Sequence, residues 1–488
     1  MPPQCVRLTR TGQFTLESGV TRALMTVALL AGVAACTTAD RRGDVVIFAS
    51  GADLQSINPL LTLHPLARQV QRYALLTTLV RYDSSLTPVP YLAREWAWSP
   101  DRRQLTMHLD RGVTWHDGVP TTARDARWTL DAARDPVVGY PRQSELHDLA
   151  HVSAPDDSTL VLDWSTAQDR LPDVLTDLAI LPAHLLDTVP RDRLRQAAWN
   201  EQPVGNGPFR FVRHEPNRRW VFERNPGFPA SLGGPPHIDR LVIAVVDEPM
   251  TKLAALVGGE LDFAGIQPGH APYVRKHADL AVVDYPLFFT YVIALNTRRP
   301  PFDDLAVRQR LAGAIDRQEI VDGYAYGFAT PADGPVPPGV PGGIAVSSPP
   351  SPSSPPLSFE LLTVGTGDNV LEQLLQAQLG RAGFTVTIRQ LELSAFLDRV
   401  YGPTHDFTAA VMGVPGDIAL GYLRPLGEAA GMTVPRDPVS AQRLFLDSIP
   451  ATFLYHARGI QGMNRRVLGV RMDTRGELVT LGQWHIAH

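Results

Sequence analysis

The stretch Leu287–Gly327, LFFTYVIALNTRRPPFDDLAVRQRLAGAIDRQEIVDGYAYG, decides how this chain is read. Phe288 to Leu295 is an apolar, β-rich run of strand length, dense enough to form a buried strand. Two prolines and two arginines between Asn296 and Phe302 break it, so the chain turns there. From Asp303 or Asp304, either of which can cap a helix, apolar residues recur at helical spacing. They are Leu305, Leu311, Ala312 and Ile315, with Ile320 in the next turn.

Within that stretch Ala294–Asn296, Pro301–Asp304, Val307–Gln309 and Ala314–Arg317 stand in a characteristic order, and Gly334–Pro338 follows as a turn. The order resembles the family 5 extracellular solute-binding proteins, the peptide-, dipeptide- and nickel-type binding components of ABC importers. Outward from this point the likeness continues through Thr87–Ala93, Arg111–Gly118, Ile180–Leu186, Pro203–Phe211, Gly258–Phe263, Ile449–Tyr455 and Val467–Val470. It covers about nine-tenths of the mature chain, with the second lobe shortened, and is a fold-level analogy.

The resemblance implies an α/β, two-lobed fold like that of type II periplasmic binding proteins, with an extra subdomain inserted in the first lobe. Lobe one would hold residues 44–285 and 464–488, with the inserted subdomain at about 75–200, and lobe two residues 286–463. A hinge would close the lobes on a ligand. A short peptide comes first, with nickel complexes and sugars as departures within the family. Ligand would pass to ABC permease subunits in the membrane, and the binding protein would act as a monomer.

The resemblance also nominates residues. Asn58 lies in the Ile57-Asn58-Pro59 turn near the expected cleft, and Asn296 ends the strand that opens the key stretch. Trp96 alternates with Trp98 along a strand, where one of them could wall the pocket; strand packing is the commoner use of such aromatics. Peptide-binding relatives place an aspartate in a second-lobe loop to hold the ligand's α-ammonium group. Asp417 matches, following the strand expected at Asp406–Val411 in the loop Val414-Pro415-Gly416-Asp417. Its competing use is to cap a helix over Ile418–Leu426.

Composition agrees with a globular protein: 44% hydrophobic and 19% charged residues leave ample core. The net charge of −5 and the absence of a basic stripe exclude nucleic acid as a partner. No GxSxG, HExxH or CxxC motif occurs, and the glycine-rich stretches lack a P-loop lysine. Asp156-Asp157 and Asp303-Asp304 read as turns and caps, and His116-Asp117 as part of a turn at Gly118. A peptide hydrolase is therefore the weaker reading; no cofactor is expected. A further alternative is a degenerate homologue acting as an envelope interaction protein without transport. The Pro/Ser-rich tract at 336–356, expected to be extended and poorly packed, supports that alternative.

At the N-terminus Arg7, Arg10 and Arg22 precede the apolar run Ala23–Val33, which suits a signal peptide over residues 1–35. Val33-Ala34-Ala35-Cys36 resembles a bacterial lipobox, so Cys36 would carry lipid and anchor the exported protein on the outer face of the cytoplasmic membrane. The other cysteine, Cys5, lies within the signal, which leaves no thiol for a disulfide. Cys36→Ser is expected to move the protein from the membrane to the soluble fraction on cell fractionation; retention in the membrane would refute the anchor.

Overall fold

The apolar run at Phe288–Leu295 belongs to a strand twice its length, Leu280–Leu295. The structure, a computed structural model, describes residues 44–62, 64–344, 356–365, 369–418 and 420–487. Residues 1–35, where a signal peptide is expected, Cys36 and residues 345–355 of the Pro/Ser tract lie outside the described residues. Among the described residues no helix is long and apolar enough to cross a membrane.

Along the chain, the strands of the principal sheet are β1 Val45–Ser50, β2 Phe209–Glu215, β3 Arg219–Arg224, β4 Arg240–Val245, β5 Phe263–Gly265 and β6 Leu280–Leu295. They continue with β7 Ala329–Pro331, β8 Leu357–Val364, β9 Phe384–Leu391, β10 Ala409–Pro415 and β11 Ala451–Asn464. Their order is β9-β8-β10-β6-β11-β5-β1-β4-β3-β2, with β7 also on β11. Strands β6 and β11 pair antiparallel from Leu280↔Asn464 to Ala294↔Ala451. One lobe attaches to β11 through β5, and the other attaches to β6 through β10. The two lobes thus share a single two-stranded ribbon.

Halfway along, the pairing jumps from Pro286↔Arg458 to Thr290↔His456, so Leu287 to Phe289 leave the β11 ladder. A bulge of this kind bends a strand and raises its twist. The freed Phe288 carbonyl accepts a hydrogen bond from the Gly416 amide at 2.7 Å. Two glycines make room for the rings on either side. A Cβ on Gly459 would meet the Tyr285 ring at 2.2 Å, and one on Gly413 the Phe289 ring at 2.3 Å.

In lobe two, β8 runs parallel to β9 and β10. The crossover helices Val370–Arg381 and Leu393–Tyr401 bury opposite faces of this sheet, as parallel strands require. Leu371, Leu375 and Leu379 pack with Phe359 and Leu361, whereas Phe396 and Val400 pack with Leu362 and Phe407. In lobe one, β1 is parallel to β4 and β5, and β3 and β2 extend the sheet antiparallel. Between β1 and β2 the chain builds an antiparallel sheet in the order Ala93–Trp98, Gln104–Leu109, Thr159–Trp164, Leu149–Asp156. The helix Ala123–Arg134, closed by a Thr122–Asp125 capping box, belongs to the same insertion. Its Trp115 and Leu160 share one apolar core with Phe209 and Phe222 of the main sheet.

The helical part of the key stretch is two helices, Leu305–Ala314 and Arg317–Gly323, because Asp316 starts a second cap. Asp304 caps the first through the Ala306 amide at 2.8 Å, and Asp316 caps the second through the Glu319 amide at 2.9 Å. The arginines of this stretch are spent on backbone carbonyls. Arg308 donates to Phe302 at 2.7 Å and Ser448 at 2.8 Å, Arg310 to Ala382 at 2.6 Å, and Arg317 to Ala332 at 2.8 Å and Phe453 at 2.9 Å. A planar guanidinium with five donors suits such work, and here it fastens the helix pair to the sheet.

Residues 336–344 differ from the expectation of a loose tract. Val340 is buried, and the Gln442 amide spans the segment, accepting from the Ile344 amide at 3.3 Å and donating to the Gly342 carbonyl at 3.1 Å. One side-chain amide thus satisfies backbone groups that proline-rich sequence leaves unpaired.

Two buried imidazoles make the fold sensitive to acid. His456, with Nδ1 2.9 Å from Thr290 Oγ1, is pushed down to about 4 by burial. His116, between the Gly205 amide and the Gly207 carbonyl, is likewise held at about 4 by burial. Unfolding restores the ordinary value near 6.5, so the unfolded chain binds the extra proton first. Stability should fall as pH drops below about 6.5 and the loss should level off below about 4, with His456 contributing up to about 3 kcal/mol. Urea unfolding of His456→Gln across this range should show a flatter profile than the wild type; an unchanged slope would remove His456 from the account.

Candidate functional site

Strand β10 ends at Pro415, and the loop after it is fixed before any ligand is considered. The Gly416 amide is held by the bulge, and Leu420 takes a left-handed φ of 55° that turns the chain back. Asp417 Oδ1 accepts from the Gly421 amide at 3.1 Å, closing a tight turn. The helix expected at Ile418–Leu426 instead runs over Leu423–Ala430, after Tyr422, so Asp417 caps a turn and not that helix. The left-handed residue at Leu420 delays the helix, since αL backbone cannot continue into a right-handed turn. Tyr422 locks the loop from behind by donating to the Pro335 carbonyl at 2.5 Å.

This loop forms one wall of a cavity of about 470 Å³. Ser144 and Glu145, from the short turn Gln143–Leu146 of the inserted subdomain, form the facing wall; Asp417, Leu423, Arg424 and Arg436 of lobe two line the other. Among the described residues no ion pair engages Asp417, Arg424 or Arg436. Charges of both signs therefore line one cavity. Across it, Asp148 is held below the usual carboxylate range, first by its His147 hydrogen bond and with Arg436 adding to the effect.

The lobe-one wall is braced by a chain of charges. Arg142 grips both oxygens of Glu145, Nε to Oε1 at 2.5 Å and Nη2 to Oε2 at 2.7 Å, and its third nitrogen bonds Asp177. Asp177 is buried and is also paired with Arg68 and, at 2.7 Å, with Arg72. Burial would raise the Asp177 carboxyl, but Arg72, Arg68 and Arg142 together hold it far below the usual range. Burial lifts the Glu145 carboxyl; the Arg142 bonds oppose the lift, and the Asp177 and Asp417 charges add to it.

A second cavity of about 280 Å³ in lobe one, lined by Tyr73, Arg81, Tyr91 and Arg475 among others, offers less to a charged ligand. Arg81 stacks 3.5 Å over the Tyr91 ring, and Arg475 is paired with Asp473. Among the described residues no group of three or more His, Cys, Asp or Glu is placed to hold a metal ion.

Of the residues nominated from sequence, the cavity takes in Asp417 and not Asn58, Trp96 or Asn296. Asn58 is fully buried, donating to Asn200 Oδ1 at 2.9 Å and accepting from the Leu60 amide at 3.0 Å. Asn296 is equally buried, donating to the carbonyls of His405 at 3.0 Å and Phe407 at 2.9 Å. Trp96 is half-buried against the lobe-one core. Glu145, Arg424 and Arg436 carry no local motif; only the fold brings them together.

Residues 87–363 match the family described as bacterial extracellular solute-binding proteins, family 5. A Brucella ovis protein provisionally named as an ABC transporter peptide-binding protein is 32% identical over 257 residues. That match takes in 52% of this chain and 48%, about half, of the relative's own length. Di/tripeptide-binding protein 4 of Pseudomonas aeruginosa is 30% identical over 67% of this chain and 68% of its own. The crystal structure of the ABC transporter substrate-binding protein CtaP from Listeria monocytogenes superposes with a TM-score of 0.81 at 19% identity, covering 91% of this chain and all of that one.

The Asp177 cluster sets a clear expectation. Asp177→Asn leaves three guanidiniums without their shared counter-charge, and removing one partner of a buried ion pair costs about 3–5 kcal/mol. Urea unfolding should report that loss; a change under about 1 kcal/mol would mean the cluster is solvated and does not brace the wall.

Proposed function

The chain belongs to the bacterial extracellular solute-binding proteins, family 5, and from that premise we propose that it is the substrate-binding component of an ABC importer, taking a short peptide into the cavity between its lobes. Lobe one comprises residues 44–285 and 464–488, with the inserted subdomain at about 75–200, and lobe two residues 286–463. The protein works outside the cytoplasm as a monomer, held at the membrane by lipid on Cys36, and hands its ligand to the permease subunits. It binds and releases without chemistry.

One observation carries this reading: Asp417, Arg424 and Arg436 line the interlobe cavity, and among the described residues none of them is in an ion pair. The two arginines are exposed and Asp417 is partly exposed, so water carries these charges, and a ligand bearing both signs can replace that water. A free peptide has an ammonium at one end and a carboxylate at the other, the signs this wall offers. Asp417 Oδ1 is engaged by the Gly421 amide, and the carboxylate retains acceptor sites for an ammonium group. The volume of about 470 Å³ lies in the lower half of the range typical of small-ligand pockets, which favours two or three residues over long peptides. The Pseudomonas aeruginosa relative is named for ligands of that length.

Purified protein should gain thermal stability with di- and tripeptides, because a ligand bound only by the folded state raises its midpoint. Asp417→Asn keeps the turn-forming oxygen and removes the charge. It should weaken binding of free-amine peptides by about 2–5 kcal/mol in calorimetry while the unliganded midpoint barely moves. Full affinity in that variant would leave Asp417 as a turn residue only.

A further inference from the structure

Resting on that reading, we propose that Glu145 is the lobe-one half of the seat for the ligand's cationic group, so that one ammonium lies between the Glu145 and Asp417 carboxylates and ties the lobes together. Both residues line the same cavity from facing walls. Among the described residues no hydrogen bond or ion pair joins residues 140–148 to residues 416–441, so the walls have no direct polar link. A group that bonds to both supplies the missing link.

The chemistry of Glu145 suits the task. A carboxylate offers about four lone-pair sites, and Arg142 uses one on each oxygen. The remaining sites are open to a second donor. Arg142 lines no part of the cavity, and its third nitrogen is drawn to Asp177, so the acid and not its partner meets the ligand. The charged groups around Glu145 are Arg142 and Asp177 behind it, His147 and Asp148 beside it, and Asp417, Arg424 and Arg436 across the cavity. Arg424 and Arg436 share the Asp417 wall and stand where the ligand's carboxylate is needed.

The two carboxylates on this cavity repel, and the Asp417 charge adds to the lift of the Glu145 carboxyl. An ammonium between them turns one unfavourable pair into two favourable ones. Closure would then be coupled to the charge of the ligand: a cation draws both walls inward, whereas a neutral analogue of the same shape leaves them apart. The specificity lies in a free amine, read from both lobes at once.

The test uses alanyl-alanine and its N-acetylated form with full-length wild type, E145Q and D417N, followed by calorimetry and by the thermal midpoint of the unliganded proteins. E145Q should weaken alanyl-alanine about tenfold and leave the weak binding of the acetylated form unchanged, while the unliganded midpoint reads separately what the lost Arg142 pairing costs the fold. Equal weakening of both ligands would assign Glu145 to wall structure through Arg142, and unchanged affinity for alanyl-alanine would place the ammonium on Asp417 alone; either overturns the proposal. Should E145Q fail to fold, E145D keeps the Arg142 charge pairing while drawing the carboxylate back, and the same selective loss is expected. Failure of the peptide reading is seen separately, in the wild type: no binding of alanyl-alanine or of any di- or tripeptide would remove that reading and this inference with it.

Discussion

The whole molecule depends on one ladder used twice. Strands β6 and β11 are paired along nearly their full length, and each hands one of its outer edges to a different lobe. Backbone hydrogen bonds cannot be left unmade in a protein interior, so the ribbon holds wherever it is paired on both sides. Between Leu287 and Phe289 that pairing is interrupted. The rings of Tyr285 and Phe289, seated against Gly459 and Gly413, mark the limits of that segment.

Arginine does two unlike jobs on either side of this ribbon. Arg308, Arg310 and Arg317 have their donors satisfied by carbonyls that helix ends and loops leave over, and they hold lobe two together. Arg424 and Arg436 stand on the cavity wall, with no ion pair to either among the described residues. Burial and pairing separate the arginines that hold the fold from those that line the cavity, and the residue type alone does not. The same holds for the acids: Asp177 is surrounded by guanidiniums, while Asp417 accepts from the Gly421 backbone amide.

Much of the architecture was legible in the chain because local chemistry reports it. The Asp304 cap and the break at Pro300 and Pro301 follow from residue type and spacing. The full length of β6 was hidden, since Leu280 to Pro286 includes Asp284 and a proline and lacks the density of the run that follows. For Asn58 and Asn296 the sequence allowed a ligand contact or a turn, and their amides are engaged within the protein. The cavity was illegible beyond Asp417, because Glu145 and Arg436 come from distant parts of the chain and neither sits in a patterned segment.

The shared ribbon also dictates when the molecule can be finished. Strand β5 is joined to the lobe-one sheet by a single pair with β1, Phe48↔Phe263, and otherwise leans on β11. The buried Asp262 beside it is answered by Arg466 at 2.7 Å. A nascent chain therefore reaches the end of β6 with half its ladder empty and a carboxylate awaiting its counter-ion, and lobe two must be synthesised before either is supplied. Contacts so far apart in sequence close slowly. Completion of the ladder therefore waits on residues 451–466.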